Sequence, residues 1–173
     1  MVSLISRTGR HLQRYNENGR RLVVGCIPYR FKEDDTNNGR AHHDQVEVLV
    51  ISSQKGQEMM FPKGGWELDE SIVEAASRES LEEAGVVGNV EQQLGIWRFK
   101  SKSLEIYHEG YMFPLFVTQQ LELWPEHNVR KREWMTIAEA REVCKHWWMK
   151  EALDKLVTRL SSGEVEQEQT TSR

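Results

Sequence analysis

Several features that mark other classes of protein are missing from this sequence. No apolar run approaches the ~20 residues that a membrane-spanning helix needs, and no internal repeat is present. The only two cysteines, Cys26 and Cys144, lie far apart and form neither a metal-ligand nor a disulfide pattern, which favours reduced thiols in an intracellular protein. We therefore expect the 173 residues to form one globular domain with its own core.

An excess of basic residues is also missing, since the formal net charge is −4 at neutral pH. This composition does not favour a nucleic-acid partner, and nothing in it indicates a membrane partner. The N-terminal residues are rich in Arg and Ser and contain no acid before Glu17, a composition shared with weak targeting peptides. We predict a cytoplasmic or nuclear location, with the mitochondrion as the alternative.

The coarse pattern of elements predicts an α+β fold. Apolar, β-branched runs predict strands at 20–31, 46–53, 90–101, 103–120 and 132–137. Helices are expected near 72–84 and over 137–160, each opened by a capping box, at Ser71–Glu74 and Thr136–Glu139. We predict a partly ordered segment over 1–17, a domain over 18–160 and a disordered polar tail over 161–173.

The helix near 72–84 carries an unusual concentration of acid. Glu79, Glu82 and Glu83 stand at i, i+3 and i+4 and therefore project from one face, while Arg78 is the sole basic residue inside the helix. Such crowding is destabilising without a counter-charge, and a hard cation such as Mg²⁺ prefers oxygen ligands of this kind. The opposite, packing face is predicted to consist of small side chains: Val73, Ala76, Ser77, Ser80 and Ala84.

The spacing of residues 64–86 resembles the Nudix box, G-x5-E-x7-R-E-U-x-E-E-x-G-U, in which U is a bulky aliphatic residue. The fixed positions are all matched, by Gly64, Glu70, Arg78, Glu79, Glu82, Glu83, Gly85 and Val86. One U position departs from the pattern, because Ser80 stands where an aliphatic side chain is usual. The resemblance implies a mixed β-sheet sandwiched between α-helices and the hydrolysis of a diphosphate linked to another group.

The same resemblance implies roles for the residues of the box. Mg²⁺, with Mn²⁺ as a substitute, would be held by Glu79, Glu82, Glu83 and the carbonyl of Gly64. Glu82 and Glu83 are also the predicted catalytic residues, because one of them would orient or deprotonate the attacking water. Three residues have structural roles: Glu70, Arg78 and Gly85. Reserve candidates for the base are Glu67, Glu105 and Glu109.

The segments FPKGGWE and RKREWMTIAEA further resemble the diphosphoinositol polyphosphate phosphohydrolase branch, most of all its plant-like members. That branch implies a small, highly anionic substrate, an inositol pyrophosphate, bound by converging cations. The predicted substrate-binding residues are Arg14, Arg21, Ser53, Lys55, Lys63, Lys100, Lys102, Arg130 and Arg132. The alternative substrate is a diadenosine polyphosphate, whose purines would stack on members of the set Trp66, Trp97, Tyr107 and Tyr111. We expect a monomer.

Overall fold

The computed structural model describes residues 5–7, 12–32, 45–101 and 106–171, with side chains up to residue 162. The elements in chain order are β1 (Arg21–Phe31), β2 (Val46–Ser52), β3 (Met59–Met60), β4 (Lys63–Gly65), α1 (Ile72–Ala84), β5 (Val86–Val90), β6 (Gly95–Lys100), β7 (Tyr107–Gln120), β8 (Arg132–Thr136), α2 (Ile137–Val143) and α3 (Trp147–Thr171). Lys102 and Glu105, two candidates from the sequence, lie outside the described residues.

A mixed sheet organises the molecule. Strands β3, β2, β1, β7 and β5 lie side by side in that order, while β4 pairs with β1, β6 with β7 and β8 with β2. β1 and β7 run parallel, with Val24 beside Tyr111, and β4 joins β1 on its other edge, with Gly64 beside Val24. Gly64 of the box is therefore held in register with the two central strands.

Helices cover both faces of this sheet. Helix α1 lies against β1, where the Cys26 thiol donates to the carbonyl of Ala76 at 3.5 Å. On the opposite face Trp148 of α3 stacks on Phe99 of β6, with ring centroids 4.2 Å apart. The predicted α+β fold, a mixed sheet between helices, is confirmed. Within the described part of the chain, no helix combines the length and apolar character that crossing a bilayer demands.

The ends of α1 are determined by local sequence. The Ser71 hydroxyl accepts from the N–H of Glu74 and the Glu74 carboxylate accepts from the N–H of Ser71, so the predicted capping box is confirmed. Gly85 ends the helix in the left-handed region with φ 66°, where its N–H donates to the Leu81 carbonyl at 3.1 Å. The predicted bounds of this helix are correct, and the second capping box, Thr136–Glu139, also forms.

Other local expectations differ from the structure. The loop predicted before α1 contains the short strands β3 and β4, and β5 follows the helix directly. These strands carry weak signals of their own and owe their conformation to pairing with β2, β1 and β7. The packing face of α1 was also predicted incorrectly at Val73 and Ser77, which are exposed, whereas Ala75 is fully buried.

Helix α3 continues past residue 160, into the segment predicted to be disordered. Its backbone is helical up to Thr171, in a stretch rich in Glu and Gln, which are good helix formers that can extend an existing helix. The boundaries proposed at residues 17 and 160 stay predictions.

Candidate active site

The carboxylates of α1 point inward, towards the loop and strand that precede the helix. Glu79, Glu82 and Glu83 are 7%, 5% and 6% exposed, so the acidic face is buried and is not an ordinary solvated helix surface. The indole N–H of Trp124 donates to the Glu83 carbonyl at 3.0 Å and so fixes the C-terminal end of α1. Buried charges of one sign require specific partners.

Arg78 supplies several of these partners at once. Its Nε and Nη2 donate to the Glu70 carboxylate at 2.8 and 2.7 Å, and Nη1 donates to Glu79 at 2.8 Å and to Glu82 at 3.0 Å. Nη2 also donates to the Gly65 carbonyl at 2.9 Å. Arg78 therefore joins the loop before the helix to two of its acids, which agrees with the structural role implied for Arg78 and Glu70.

Glu83 has a separate set of partners. Its Oε2 accepts from the backbone N–H of Lys63 at 2.9 Å, and its Oε1 accepts from Nη2 of Arg130 at 3.1 Å. The Lys63 ammonium interacts electrostatically with Glu83 and Glu79 and with the guanidinium groups of Arg21 and Arg130. Two predicted substrate-binding cations, Lys63 and Arg130, thus converge on one carboxylate of the box, while Arg21 donates to the side chain of Gln13.

Gly64 is required where β4 passes the helix. A Cβ placed on Gly64 would lie 2.2 Å from the carboxyl carbon of Glu79 and 2.2 Å from Oε1 of the same group. No side chain fits there unless Glu79 moves, so the close approach of this backbone to the carboxylate depends on glycine. The Cα of Gly64 and the carboxylate of Glu79 are consequently held near each other.

Burial changes the ionisation of these acids. It raises the pKa of Glu83 to about 7, against the opposing influence of Arg130 and Lys63. Burial and repulsion from Glu83 raise the pKa of Glu79 well above its usual range, and burial also raises the pKa of Glu82. Burial lowers the pKa of the Lys63 ammonium. Groups with such shifts are typical of reactive sites.

A family model of the NUDIX domain matches residues 19–159 of this chain. The chain belongs to the Nudix hydrolase family. It is therefore an enzyme that acts on phosphoanhydride bonds of small phosphorylated molecules, in a family that uses divalent metal ions.

Relatives and solved structures agree with this assignment. The chain is 67% identical to "Nudix hydrolase 17, mitochondrial" from Arabidopsis thaliana over 174 residues, covering 99% of this chain and 93% of the relative. It is 33% identical to rat diphosphoinositol polyphosphate phosphohydrolase 2 over 132 residues, covering 75% of this chain and 65% of the relative. A NUDIX hydrolase from Nitrosomonas europaea shares the fold, with a TM-score of 0.62 at 20% identity, covering 79% of this chain and 88% of that structure.

The residues of this Nudix hydrolase fit a divalent cation in chemistry and in burial. Three buried carboxylates have raised pKa values, and one of them, Glu79, lies so close to Gly64 that a Cβ there would clash with it. Within the described residues, no three such side chains already converge on a single point, because the guanidinium groups of Arg78 and Arg130 occupy carboxylate oxygens. The groups that would hold a cation are Glu79, Glu82, Glu83 and the Gly64 carbonyl.

Glu126 is a further acid at this Nudix site that the sequence analysis did not identify. Its N–H donates to the Glu82 carbonyl at 3.0 Å, its carboxylate accepts from Nε of Arg130 at 2.9 Å, and it repels Glu82 and Glu83 electrostatically. The N-terminal segment reaches the same place, since Ser6 donates to Glu126 at 2.9 Å and the N–H of Arg7 donates to Glu82 at 2.6 Å. The spacing of Glu126 and Arg130, at i and i+4, was the available signal.

Two predicted substrate-binding residues of this hydrolase, Arg14 and Ser53, form hydrogen bonds with backbone groups of loops, whereas the side chains of Lys55 and Lys100 form none within the described part of the chain. Arg14 donates to the carbonyls of Glu67, Leu68 and Glu70 at 3.0–3.2 Å and lies over the Trp66 ring. The Ser53 hydroxyl accepts from two N–H groups of the turn after β2. Lys55 is exposed in that turn, and Lys100 lies near Tyr107 at the edge of the sheet.

Arg132, another predicted substrate-binding residue, contacts backbone carbonyls and an aromatic ring. Its guanidinium lies over the Trp124 ring and donates to the carbonyls of Ala84 at 3.0 Å, Gly85 at 3.3 Å and Leu121 at 2.5 Å. Arg132 thereby binds the carbonyls at the C-terminus of α1, a favourable position for a cation. We reassign it, with Gly85, to the support of the Nudix helix.

The reserve bases are likewise engaged. Glu67 is buried beside the Arg7 guanidinium and uses its N–H to donate to Glu70 at 3.0 Å. Glu109 accepts from the side chain of Asn16 at 3.1 Å. These contacts leave the box glutamates and Glu126 as the acids grouped at the centre of the Nudix site.

Proposed function

We propose that this enzyme is a Mg²⁺-dependent hydrolase that removes the terminal phosphate from the diphosphate of an inositol pyrophosphate. The observation that carries the proposal is the convergence of Lys63 and Arg130 on Glu83, with Arg21 close enough to interact with the Lys63 ammonium. Cations from three separate segments of the chain are what a small, dense polyanion requires. The 33% identity with rat diphosphoinositol polyphosphate phosphohydrolase 2 also supports this choice of substrate.

The chemistry assigns distinct tasks to these groups. A divalent cation held by Glu79, Glu82, Glu83 and the Gly64 carbonyl would neutralise charge on the diphosphate oxygens. Glu82 or Glu83 would orient or deprotonate the attacking water. The water oxygen bonds to the terminal phosphorus as the anhydride P–O bond breaks, and Lys63 and Arg130 stabilise the phosphate that leaves.

Hydrolysis of diadenosine polyphosphates is the second candidate. Trp66 and Tyr111 lie together on the side of the sheet where the box loop runs, with ring centroids 6.1 Å apart. Their planes meet at 74°, edge to face, so they do not form the parallel slot that would hold a purine between two rings. Trp97 is buried and donates to Glu151 on the α3 face. This arrangement favours the inositol substrate.

The location is also a proposal. The name of the relative from Arabidopsis places that protein in the mitochondrion, and its 67% identity favours the mitochondrial alternative for this chain over the cytoplasm or nucleus. Expression of a fluorescent fusion that preserves the native N-terminus would test it, with a mitochondrial signal expected and a diffuse signal contradicting it.

A substrate panel tests the function. The purified enzyme, at matched Mg²⁺, is given an inositol pyrophosphate and a diadenosine polyphosphate, and phosphate release and product masses are followed. We expect a higher kcat/KM for the inositol pyrophosphate, and faster turnover of the dinucleotide would reverse the assignment.

The variant Lys63→Ala tests whether Lys63 helps to select between the two substrates. Because Lys63 lies among the cations beside Glu83, its loss should reduce kcat/KM for the inositol substrate more than for the dinucleotide. Equal losses on the two substrates would remove its role in selecting between them.

A further inference from the structure

A second group of cations lies at the edge of the sheet, around the ring of Tyr107. The guanidinium carbons of Arg20 and Arg98 lie 5.6 and 5.4 Å from the ring centroid, and the ammonium nitrogen of Lys100 lies 5.4 Å from it. Arg20 directly precedes β1, Arg98 and Lys100 belong to β6, and Tyr107 begins β7. We call these four residues the Tyr107 cluster.

The cluster faces the same side of the sheet as the box loop. Lys100, Arg98 and Ile96 of β6 stand opposite Tyr107, Glu109 and Tyr111 of β7, and paired residues share a face. Tyr111 contacts Trp66, which directly follows β4. The alternate residues of β6 point the other way, where Phe99 stacks on Trp148 of α3. A ligand that extends along this face from Gly64 would meet the cluster.

Acids among the described residues do not neutralise these cations. Among the described residues, no carboxylate forms an ion pair or hydrogen bond with the side chains of Arg20, Arg98 or Lys100. Glu109, opposite Arg98, uses its carboxylate to accept from Asn16 at 3.1 Å and from the Tyr111 hydroxyl. The ring attracts each cation, but attraction to a ring does not cancel the repulsion between them.

We propose that the Tyr107 cluster is an outer anion subsite that binds phosphate groups of the substrate remote from the diphosphate being cleaved. An anion among the three cations would remove their mutual repulsion and form charge-assisted hydrogen bonds with them. Tyr107 gives the long, flexible cations a common surface and so reduces the freedom they lose on binding.

Distance determines which substrates would use this subsite. Tyr107 is four residues before Tyr111, which stands level with Gly64 across β1, so the cluster lies about 13 Å along the strands from the level of the box. Phosphates distributed around a ring can reach towards it, whereas a compact diphosphate cannot span this separation. The inference rests on the proposed function and adds to it a preference for polyphosphorylated substrates.

The test removes the three cations together. The variant Arg20→Gln/Arg98→Gln/Lys100→Gln is compared with Lys32→Gln/Arg141→Gln/Lys145→Gln, which deletes the same charge at exposed positions outside the cluster. Binding of inositol hexakisphosphate is measured by calorimetry, and hydrolysis of an inositol pyrophosphate is measured with Mg²⁺. We expect the cluster variant to bind at least about tenfold more weakly, with KM raised more than kcat is lowered, and the control to stay near wild type.

Single variants test the role of the ring. Tyr107→Phe keeps an aromatic surface and should bind like wild type, whereas Tyr107→Leu should weaken binding. Thermal denaturation of each variant shows whether it is folded, and the lost affinity should not follow lost stability.

Each outcome distinguishes the subsite from the proposed function. Equal affinities of the cluster and control variants, or no binding of inositol hexakisphosphate by wild type, would overturn the subsite. If wild type binds the hexakisphosphate through the cluster but does not hydrolyse the pyrophosphate, the subsite is supported and the proposed function fails. If wild type hydrolyses the pyrophosphate and the cluster variant is unaffected, the proposed function stands and the subsite fails.

Discussion

Two regions of this Nudix hydrolase concentrate charge of one sign, and they differ in burial. The carboxylates of α1 are enclosed, and Arg78, Arg130 and the Lys63 N–H occupy their oxygens. The cations of the Tyr107 cluster share the exposed edge of the sheet with one ring. Burial strengthens electrostatic interactions and shifts pKa values, whereas water and salt weaken them at the surface. The buried carboxylates of α1 are therefore suited to catalysis, whereas the exposed Tyr107 cluster is suited to binding.

Loss of one buried acid should have the largest effect. Glu83→Gln preserves shape but removes the charge that Lys63, Arg130 and a cation share, so kcat/KM should fall by more than about a hundredfold. Steady-state hydrolysis at saturating Mg²⁺ measures this. The exposed Glu142→Gln on α2 is the matched control and should retain wild-type activity. Survival of activity in Glu83→Gln would show that the metal site is assigned incorrectly.

Loss of the central buried cation should reduce stability. Arg78→Gln leaves Glu70, Glu79 and Glu82 without their shared partner, which should lower the free energy of unfolding of the metal-free enzyme by about 3 kcal/mol. Chemical denaturation measures the change. Arg141→Gln breaks an exposed pair with Asp154 and should cost less than about 1 kcal/mol. Similar losses in the two variants would contradict the contrast between buried and exposed charge.

The variant Arg132→Gln tests whether the Arg132 guanidinium stabilises the fold or binds the substrate. Arg132→Gln leaves carbonyls at the end of α1 without a donor and should lower the free energy of unfolding by about 1–3 kcal/mol. KM for the inositol pyrophosphate should stay close to that of wild type in the folded enzyme. A large rise in KM with unchanged stability would restore the contact with substrate predicted from the sequence.

A further prediction concerns pH. The folded-state pKa of Glu83 is raised to about 7, so stability of the metal-free protein that is present below the ordinary carboxyl pKa is lost as pH rises through about 7. Divalent cations bind the ionised acids, so Mg²⁺ affinity should increase over the same range with release of protons. Denaturation and calorimetry between about pH 5 and about pH 8 would measure both changes. A metal affinity independent of pH would contradict the raised pKa.

Much of the site could be predicted because the box is local. Glu79, Glu82 and Glu83 share a helix face by periodicity alone, and Ser71 and Gly85 specify where that helix begins and ends. The pairing of the strands and the packing of the helix on the sheet were harder to predict from the sequence. Strands β3, β4 and β5 are short and rely on partners distant in sequence, and the exposure of Val73 depends on how α1 lies against β1.

The sequence by itself determined the family, the helix with its caps, and the acids that a cation would require, because these follow from spacing within a few turns of chain. Only the tertiary structure separated the basic residues by role. It brought Lys63 and Arg130 to Glu83, directed Arg14 and Arg132 to backbone carbonyls, and gathered Arg20, Arg98 and Lys100 around Tyr107. A charge has the same sequence signature in each role, and its partner is determined by strands and loops that meet only after folding.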